Sequence, residues 1–365
     1  MGGHLSLVVA IALATAGVAT GPAHAVGADP NGAATYGRNL GANITITDAL
    51  DSDLDALART NAKWVRQDAF WIGIQRGGKT SWDWAHLDDE VEAAESRGLN
   101  VLLVPTYAPA WAALPGCKSA RCGPVHPADY GRFVSAAAQR YSPGGVFGSH
   151  VRAWEIWNEP NGPGFGPDPD PVKYTTMLKL AAVAIRAVNP TAQILTGGVA
   201  PAPDLPDGQS YAPATFLNAI YRNGGHGSFT AVANHPYSGN YAPMFRAEWN
   251  AFYTTPKLHR IMTSHGDGNK KIWGTEFGYA SSLVFGVGEA MQAALLGIGI
   301  VLWQRWSFTG PLFVFNLRDE SAIDVGKFDT TGMLHYDSSR KPAWKMFKFL
   351  ARAYPQEPAG LRSRV

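Results

Sequence analysis

The chain has 365 residues, 46% hydrophobic and 16% charged, and its 40 glycines and 25 prolines stay below the roughly 25–30% combined share of low-complexity disorder. That composition excludes an unfolded or fibrous protein and supplies ample material for a large buried core. The formal net charge of +2 provides no basic field, so nucleic acid is not an expected partner.

In chain order, residues 1–25 read as a secretory signal peptide. Leu5 to Thr20 is an apolar run shorter than the roughly 20 residues of a membrane span, and Ala23-His24-Ala25 supplies a small-residue cleavage site. The segment Met1-Gly2-Gly3-His4 lacks the usual Lys or Arg, which leaves an uncleaved anchor as the alternative. Cleavage predicts a secreted or cell-envelope-associated protein with no membrane contact once the signal is gone.

From residue 26 onward two kinds of segment alternate. Short apolar runs such as Val101-Leu102-Leu103-Val104 and Ile272-Trp273-Gly274 suit strands buried on both faces of a parallel sheet. They predict strands near 35–42, 63–71, 100–107, 151–159, 191–199, 230–237, 271–277 and 311–318. Between and after them lie segments of helical period. Leu87, Val91 and Ala94 repeat on one face before Gly98, and Tyr174, Leu178, Ala181 and Ile185 repeat before Asn189-Pro190. Helices are predicted near 47–61, 84–97, 127–141, 171–188, 212–223, 243–264, 288–307 and 342–352. Eight strand–helix units predict an α/β protein, a single (β/α)8 TIM barrel over 26–352, with a short polar tail at 353–365. A doubly wound sheet would need G-x-G-x-x-G after the first strand, and Gly37-Arg38-Asn39-Leu40-Gly41 does not supply it.

Two local patterns need weighing. Cys117 and Cys122 suit a loop-closing disulfide in an exported chain; the alternative adds His126 as a zinc ligand, with no fourth ligand at finger-like spacing. Gly73-Ile74-Gln75-Arg76-Gly77-Gly78-Lys79-Thr80 matches a phosphate-loop pattern. A phosphate loop requires a helix to start at the lysine, and here Ser81-Trp82-Asp83-Trp84 intervenes, so nucleotide binding is not expected.

Barrels carry function at the C-terminal ends of their strands. Strand four ends Trp154-Glu155-Ile156-Trp157-Asn158-Glu159-Pro160, and strand seven ends Trp273-Gly274-Thr275-Glu276-Phe277. Glu159 and Glu276 can therefore face each other across the mouth. A separation of about 5–5.5 Å would suit retaining glycoside hydrolysis, with one carboxyl protonated and the other ionised. Glu155 lies deeper and is expected to be a buried partner for Arg66 or another cation.

Trp157-Asn158-Glu159-Pro160 and Thr275-Glu276-Phe277-Gly278 resemble the strand-four and strand-seven signatures of the clan of retaining (β/α)8 glycoside hydrolases. The similarity runs from Trp64-Val65-Arg66 through His235-Pro236-Tyr237 to Lys341-Pro342-Ala343, and is greatest to the cellulase-like family 5 and to family 39. The resemblance implies Glu159 as acid/base and Glu276 as nucleophile. It implies that Asn158 bonds the sugar 2-hydroxyl, that Arg66 keeps Glu276 ionised, and that His235 and Tyr237 line the −1 subsite. Phe315 stands where many relatives place Trp or Tyr beneath the sugar, so it can stack but not hydrogen-bond.

Aromatic faces match pyranose faces, which makes Trp71, Tyr107 and Trp111 candidate platforms, with Trp111 expected at the rim and in contact with ligand. Trp303 and Trp306 sit at helical spacing and read as core. The expected function is a secreted retaining glycosidase acting on a β-linked oligo- or polysaccharide, with no metal and no organic cofactor. A transglycosidase on the same scaffold and a non-catalytic carbohydrate-binding barrel are the alternatives.

Overall fold

The computed structural model describes residues 39–353, apart from 46–47, 118–120, 163–164, 166–168, 324–325 and 327. The expected signal peptide over 1–25 and the tail after 353 lie outside the described residues. The elements run β1 (Leu40–Asn43), α1 (Leu50–Ala58), β2 (Trp64–Phe70), α2 (Trp71–Ile74), α3 (Ala85–Glu95), β3 (Asn100–Thr106), α4 (Pro127–Tyr141), β4 (Ala153–Asn158) and α5 (Pro171–Val188). They continue as β5 (Gln193–Gly198), α6 (Pro213–Arg222), β6 (Ala231–Asn234), α7 (Ala251–Ser264), β7 (Lys271–Phe277), α8 (Glu289–Arg305), β8 (Thr309–Val314) and α9 (Pro342–Ala353).

All eight strands are parallel and follow chain order, and β8 pairs back onto β1 through Leu40 and Leu312, which closes the (β/α)8 barrel. The strands are buried along nearly their whole length, as the continuous apolar runs require. Several element boundaries differ from the sequence reading, among them the ends of β6 and β8 and the start of α7, and one element is new. The helix expected from 243 begins only at Ala251, because Asn250 caps it: its side chain accepts from the N–H groups of Phe252 and Tyr253. The first strand starts at Leu40 within the described residues. The single turn α2, directly after β2, carries no periodic signal long enough to predict.

The barrel interior is a separate packing unit. Trp64, Leu102, Ala153, Leu195, Ala231, Ala233, Trp273 and Phe313 fill it. The Trp64 ring meets Trp273 edge-on at 5.3 Å and Phe313 at 6.3 Å. Three large rings fit because their neighbours are small. At Gly41 a Cβ would sit 2.8 Å from the Phe313 ring and from the Trp64 carbonyl oxygen, so only glycine is accommodated. A second, larger core lies between sheet and helices, where Trp71 stacks on Phe133 at 5.4 Å and Trp157 packs against Tyr130 at 5.5 Å. None of the described helices is long and apolar enough to cross a membrane.

Plugging the barrel floor is thus the work of one ring in particular. Trp64→Ala is expected to cost about 3–5 kcal/mol, measured as a lowered urea midpoint at unchanged slope.

Candidate active site

The plug fills the floor of the barrel, and above it the interior turns polar. Asn43 at the end of β1, Arg66 and Asp68 on β2, Glu155 and Asn158 on β4, and Glu276 on β7 all point inward, joined by Glu159 and His235 just past their strands. Arg66 is their common partner. Its Nε and Nη2 donate to the two oxygens of Glu155 at 3.0 and 3.1 Å. Nη1 donates to Glu276 Oε1 and Asn43 Oδ1, both at 3.0 Å, and Nη2 also donates to Asn158 Oδ1 at 2.8 Å.

These contacts order the charges. Burial works against the ionised form of Glu155, but the Arg66 charge, the hydrogen bonds from Arg66 and the nearby His235 charge outweigh it and bring the carboxyl down to about 2. The backbone N–H of Gly198 adds a further donor to Glu155 at 2.9 Å. Gly198 has to be glycine: a Cβ there would lie 2.2 Å from His235 Nε2 and 2.8 Å from Glu155 Oε1. Glu155 is therefore the buried structural partner that its depth in the strand implied. Glu276 is held at both oxygens, by Arg66 at Oε1 and by the Tyr237 hydroxyl, which donates to Oε2 at 2.8 Å. Burial and the neighbouring Glu276 charge push the Tyr237 phenol well above its ordinary value, so it remains a neutral donor.

Glu159 reaches the mouth by a different route. Neighbouring residues of a regular strand point to opposite faces, so Asn158 and Glu159 could not both face the interior. The chain breaks the alternation with left-handed backbone at Trp157 (φ 73°) and Glu159 (φ 47°). Conformations of this kind cost about 1–3 kcal/mol each and cluster at functional sites. His235 Nδ1 lies 3.2 Å from Glu159 Oε1 and 3.5 Å from Glu276 Oε2, while Nε2 is 3.9 Å from Glu155 Oε1. Burial alone would lower the His235 pKa, but the Glu276 charge and the contacts with Glu155 and Glu159 raise it to about 9. For Glu159, burial raises the carboxyl, and the hydrogen bond and charge of His235 reverse that, so the net direction is downward.

Among the described residues, one ligating atom from each of Glu159, His235 and Glu276 lies within 4.8 Å of the others, a set able to take a metal ion. The set is already closed internally. His235 bridges the two glutamates, and Arg66 and Tyr237 occupy both oxygens of Glu276.

The structure brings Arg66, Asn158, Glu159, His235, Tyr237, Glu276 and Phe315 to one cavity or its wall. Asn158 Nδ2 donates to the Tyr107 hydroxyl at 3.2 Å, which fixes the direction of its amide. Tyr107 lines the cavity as a platform candidate should. Trp111 does not. Its Nε1 donates to the Gln75 carbonyl at 2.8 Å and its ring packs edge-on against Trp71, so the loop after β3 turns it toward the core aromatics and away from the cavity lining. Trp71 is fully buried. Trp303 is core, with Nε1 donating to the Gly310 carbonyl, and Trp306 packs on Phe252. Cys117 and Cys122 are bonded to each other. Lys79 of the phosphate-loop-like stretch pairs with Asp129 at 3.0 Å, and the next helix after it begins only at Ala85.

Three charged lining residues were not anticipated. Asp68 and Arg66 are two residues apart on β2 and so share a face, a parity visible in the sequence. Burial raises the Asp68 carboxyl to about 6, and its Oδ1 has no hydrogen-bond partner. Arg121, beside Cys122, and Glu320, in the loop after β8, arrive on irregular segments with no periodic signal.

No family model matches the chain, and no curated protein matches it. Solved structures do. A family 39 glycoside hydrolase from the gut symbiont Bacteroides cellulosilyticus WH2 superposes with a TM-score of 0.69 at 22% identity, over 87% of this chain and 64% of that one. A monomeric beta-xylosidase from Caulobacter crescentus CB15 gives 0.63 at 17% identity, over 87% and 69%. The GH5_18 protein from Streptomyces cattleya in complex with GlcNAc gives 0.63 at 17% identity, over 87% and 80%. The chain thus shares the (β/α)8 barrel fold of these structures, and it spans just under two thirds of the first of them.

The His235 charge links the site to stability. Folding raises its pKa from 6.5 to about 9, so its contribution is complete below about pH 6.5 and lost as pH rises through 9. Glu155, lowered to about 2 from 4.5, contributes above about pH 4.5 and loses that contribution as pH falls through 2. Imidazole NMR titration should give a His235 midpoint near 9. The stability gap between wild type and His235→Gln should narrow across about pH 6.5–9.

Proposed function

We propose that this protein is a glycosidase that cleaves β-glycosidic bonds with retention, through a covalent glycosyl-enzyme. The observation that carries the reading is the pairing of Glu159 with Glu276 at the barrel mouth, with carboxylate oxygens within 4.8 Å of each other. That proximity favours the retaining arrangement, whose carboxyls stand about 5–5.5 Å apart, over the about 6.5–9.5 Å of inverting pairs.

The roles follow from the environments. Glu276, oriented at both oxygens and beside the Arg66 cation, is the attacking carboxylate. Its oxygen bonds to the anomeric carbon as the bond from that carbon to the leaving oxygen breaks, and Glu159 gives the leaving oxygen its proton. The raised pKa of His235, about 9, supports it as the holder of that proton before the sugar binds, with Nδ1 3.2 Å from Glu159 Oε1. A bound sugar that excludes water disfavours charge on both and draws the proton across to Glu159. In the second step Glu159 takes a proton from water, the water oxygen bonds to the anomeric carbon, and Glu276 departs. Asn158 has an amide hydrogen left for the 2-hydroxyl after bonding Tyr107. The unpartnered Asp68 Oδ1 suits a donating sugar hydroxyl. The apolar run over 5–20 and the disulfide support action outside the cytoplasm.

Glu276→Ala should lower kcat by about 10⁴-fold or more, and Glu159→Ala by about 10²–10⁴-fold on glycosides with poor leaving groups. Both variants should keep the wild-type circular dichroism spectrum. Azide should restore the Glu159→Ala variant by capturing the glycosyl-enzyme. An NMR spectrum of the first-formed sugar that shows inverted configuration would remove the retaining assignment.

A further inference from the structure

The mouth of the barrel has two lobes, each of about 290 Å³. One holds Arg66, Asp68, Asn158 and Glu276, with Glu159 on its wall. The other is lined by Trp249, Tyr279, Phe285 and Phe328 from the β6–α7, β7–α8 and β8–α9 connections, and also reaches Glu159. Glu276 lines only the first lobe, whereas Glu159, Tyr237 and Phe328 line both. If Glu276 attacks the anomeric carbon and Glu159 protonates the departing oxygen, the sugar occupies the first lobe. The departing group then lies beyond Glu159, in the second.

We propose that this second lobe receives an apolar aglycone, so that the substrate is a β-glycoside of a hydrophobic alcohol or phenol and not an internal link of a polysaccharide. The inference rests on the roles proposed above for Glu159 and Glu276.

The chemistry of the walls supports it. The first lobe carries six ionisable charged side chains, Arg66, Asp68, Arg121, Glu159, Glu276 and Glu320, fit for a ring with a hydroxyl on most carbons. In the second, Glu159 is the one charged side chain among the described residues. Several polar groups there each already hold a protein partner. The Tyr279 hydroxyl is 2.6 Å from Ser238 Oγ, Thr331 Oγ1 donates to the Phe328 carbonyl, and Asn240 Nδ2 donates to the Phe285 carbonyl. A sugar leaving water for this lobe would give up hydrogen bonds with few replacements. An apolar group meets the opposite situation, because Trp249, Phe285 and Phe328 stand 50%, 39% and 47% exposed and have ring surface to cover. The apolar character continues outward. Tyr241 packs 5.3 Å from Trp249 and 4.6 Å from Phe245, and all three rings are exposed.

The test compares hexyl β-glycosides of glucose, xylose, mannose and galactose with β-linked disaccharides carrying the same non-reducing sugar. The hexyl glycoside of the accepted sugar should have the higher kcat/KM. Trp249→Ala and, separately, Phe285→Ala should each lower that value by about tenfold and lower the disaccharide value by a smaller factor. A disaccharide preference, or an equal or larger loss on the disaccharide, overturns the proposal in favour of a second sugar subsite. A second arm does not depend on turnover. Hexyl 1-thio-β-glycosides of the same four sugars, which resist hydrolysis, should bind the wild type in calorimetry and bind Trp249→Ala about tenfold more weakly. Absent binding, or equal binding by both proteins, overturns the apolar lobe. Binding of that kind without turnover of any glycoside sustains the lobe and overturns the glycosidase reading instead.

Discussion

A guanidinium offers five N–H donors in one plane and cannot lose its charge inside a protein. Buried at the centre of the barrel mouth, Arg66 satisfies that plane with side chains from three other strands: Asn43 on β1, Glu155 and Asn158 on β4, and Glu276 on β7. The bidentate pair with Glu155 neutralises a charge that water cannot reach, and the remaining donors orient the two groups proposed to meet the sugar. One interaction therefore serves both the cohesion of the mouth and the aim of Glu276. Removing one partner of a buried pair strands the other charge, at a cost of about 3–5 kcal/mol. Arg66 is consequently a residue in which loss of activity and loss of stability are hard to separate, whereas Glu276 and Glu159 lie at the upper edge of the network.

The floor and the mouth of the barrel obey opposite rules. Below, Trp64, Trp273 and Phe313 pack against alanines and Gly41 with no charge among them. Above, Arg66 and His235 stand among Glu155, Glu159, Glu276 and Asp68, with Arg121 and Glu320 also on the cavity wall. The excess of carboxylates holds His235 protonated toward about 9. His235 Nδ1 lies 3.2 Å from Glu159 Oε1, within transfer distance of that carboxyl. The two left-handed residues flanking Asn158 store strain at the same point, held in place by the Glu159 N–H, which donates to the Gly198 carbonyl at 3.0 Å.

Much of this was open to a reader of the chain. Apolar runs separated by helical period specified eight strands, and the polar residues that interrupt those runs, Glu155, Glu159 and Glu276, marked the mouth. Asp68 is equally legible through its parity with Arg66. The aromatic residues were harder. Trp111 and Tyr107 lie four residues apart after the same strand, yet Tyr107 faces the cavity and Trp111 turns to Trp71. Loop geometry decides between them, and loops carry no period.

What the sequence determined by itself was local and periodic: which segments are strands, which are helices, and which strand ends carry acids. Those follow from the spacing of apolar side chains along a chain of known pitch. Only the closed barrel decided the rest: that Arg66 would meet residues 89 and 210 positions away, that backbone turns would bring Glu159 to the same side as Asn158, and that three connections would build an apolar lobe beside a charged one. Contacts of such separation depend on where every intervening element packs, so they are properties of the whole fold and of no single stretch of it.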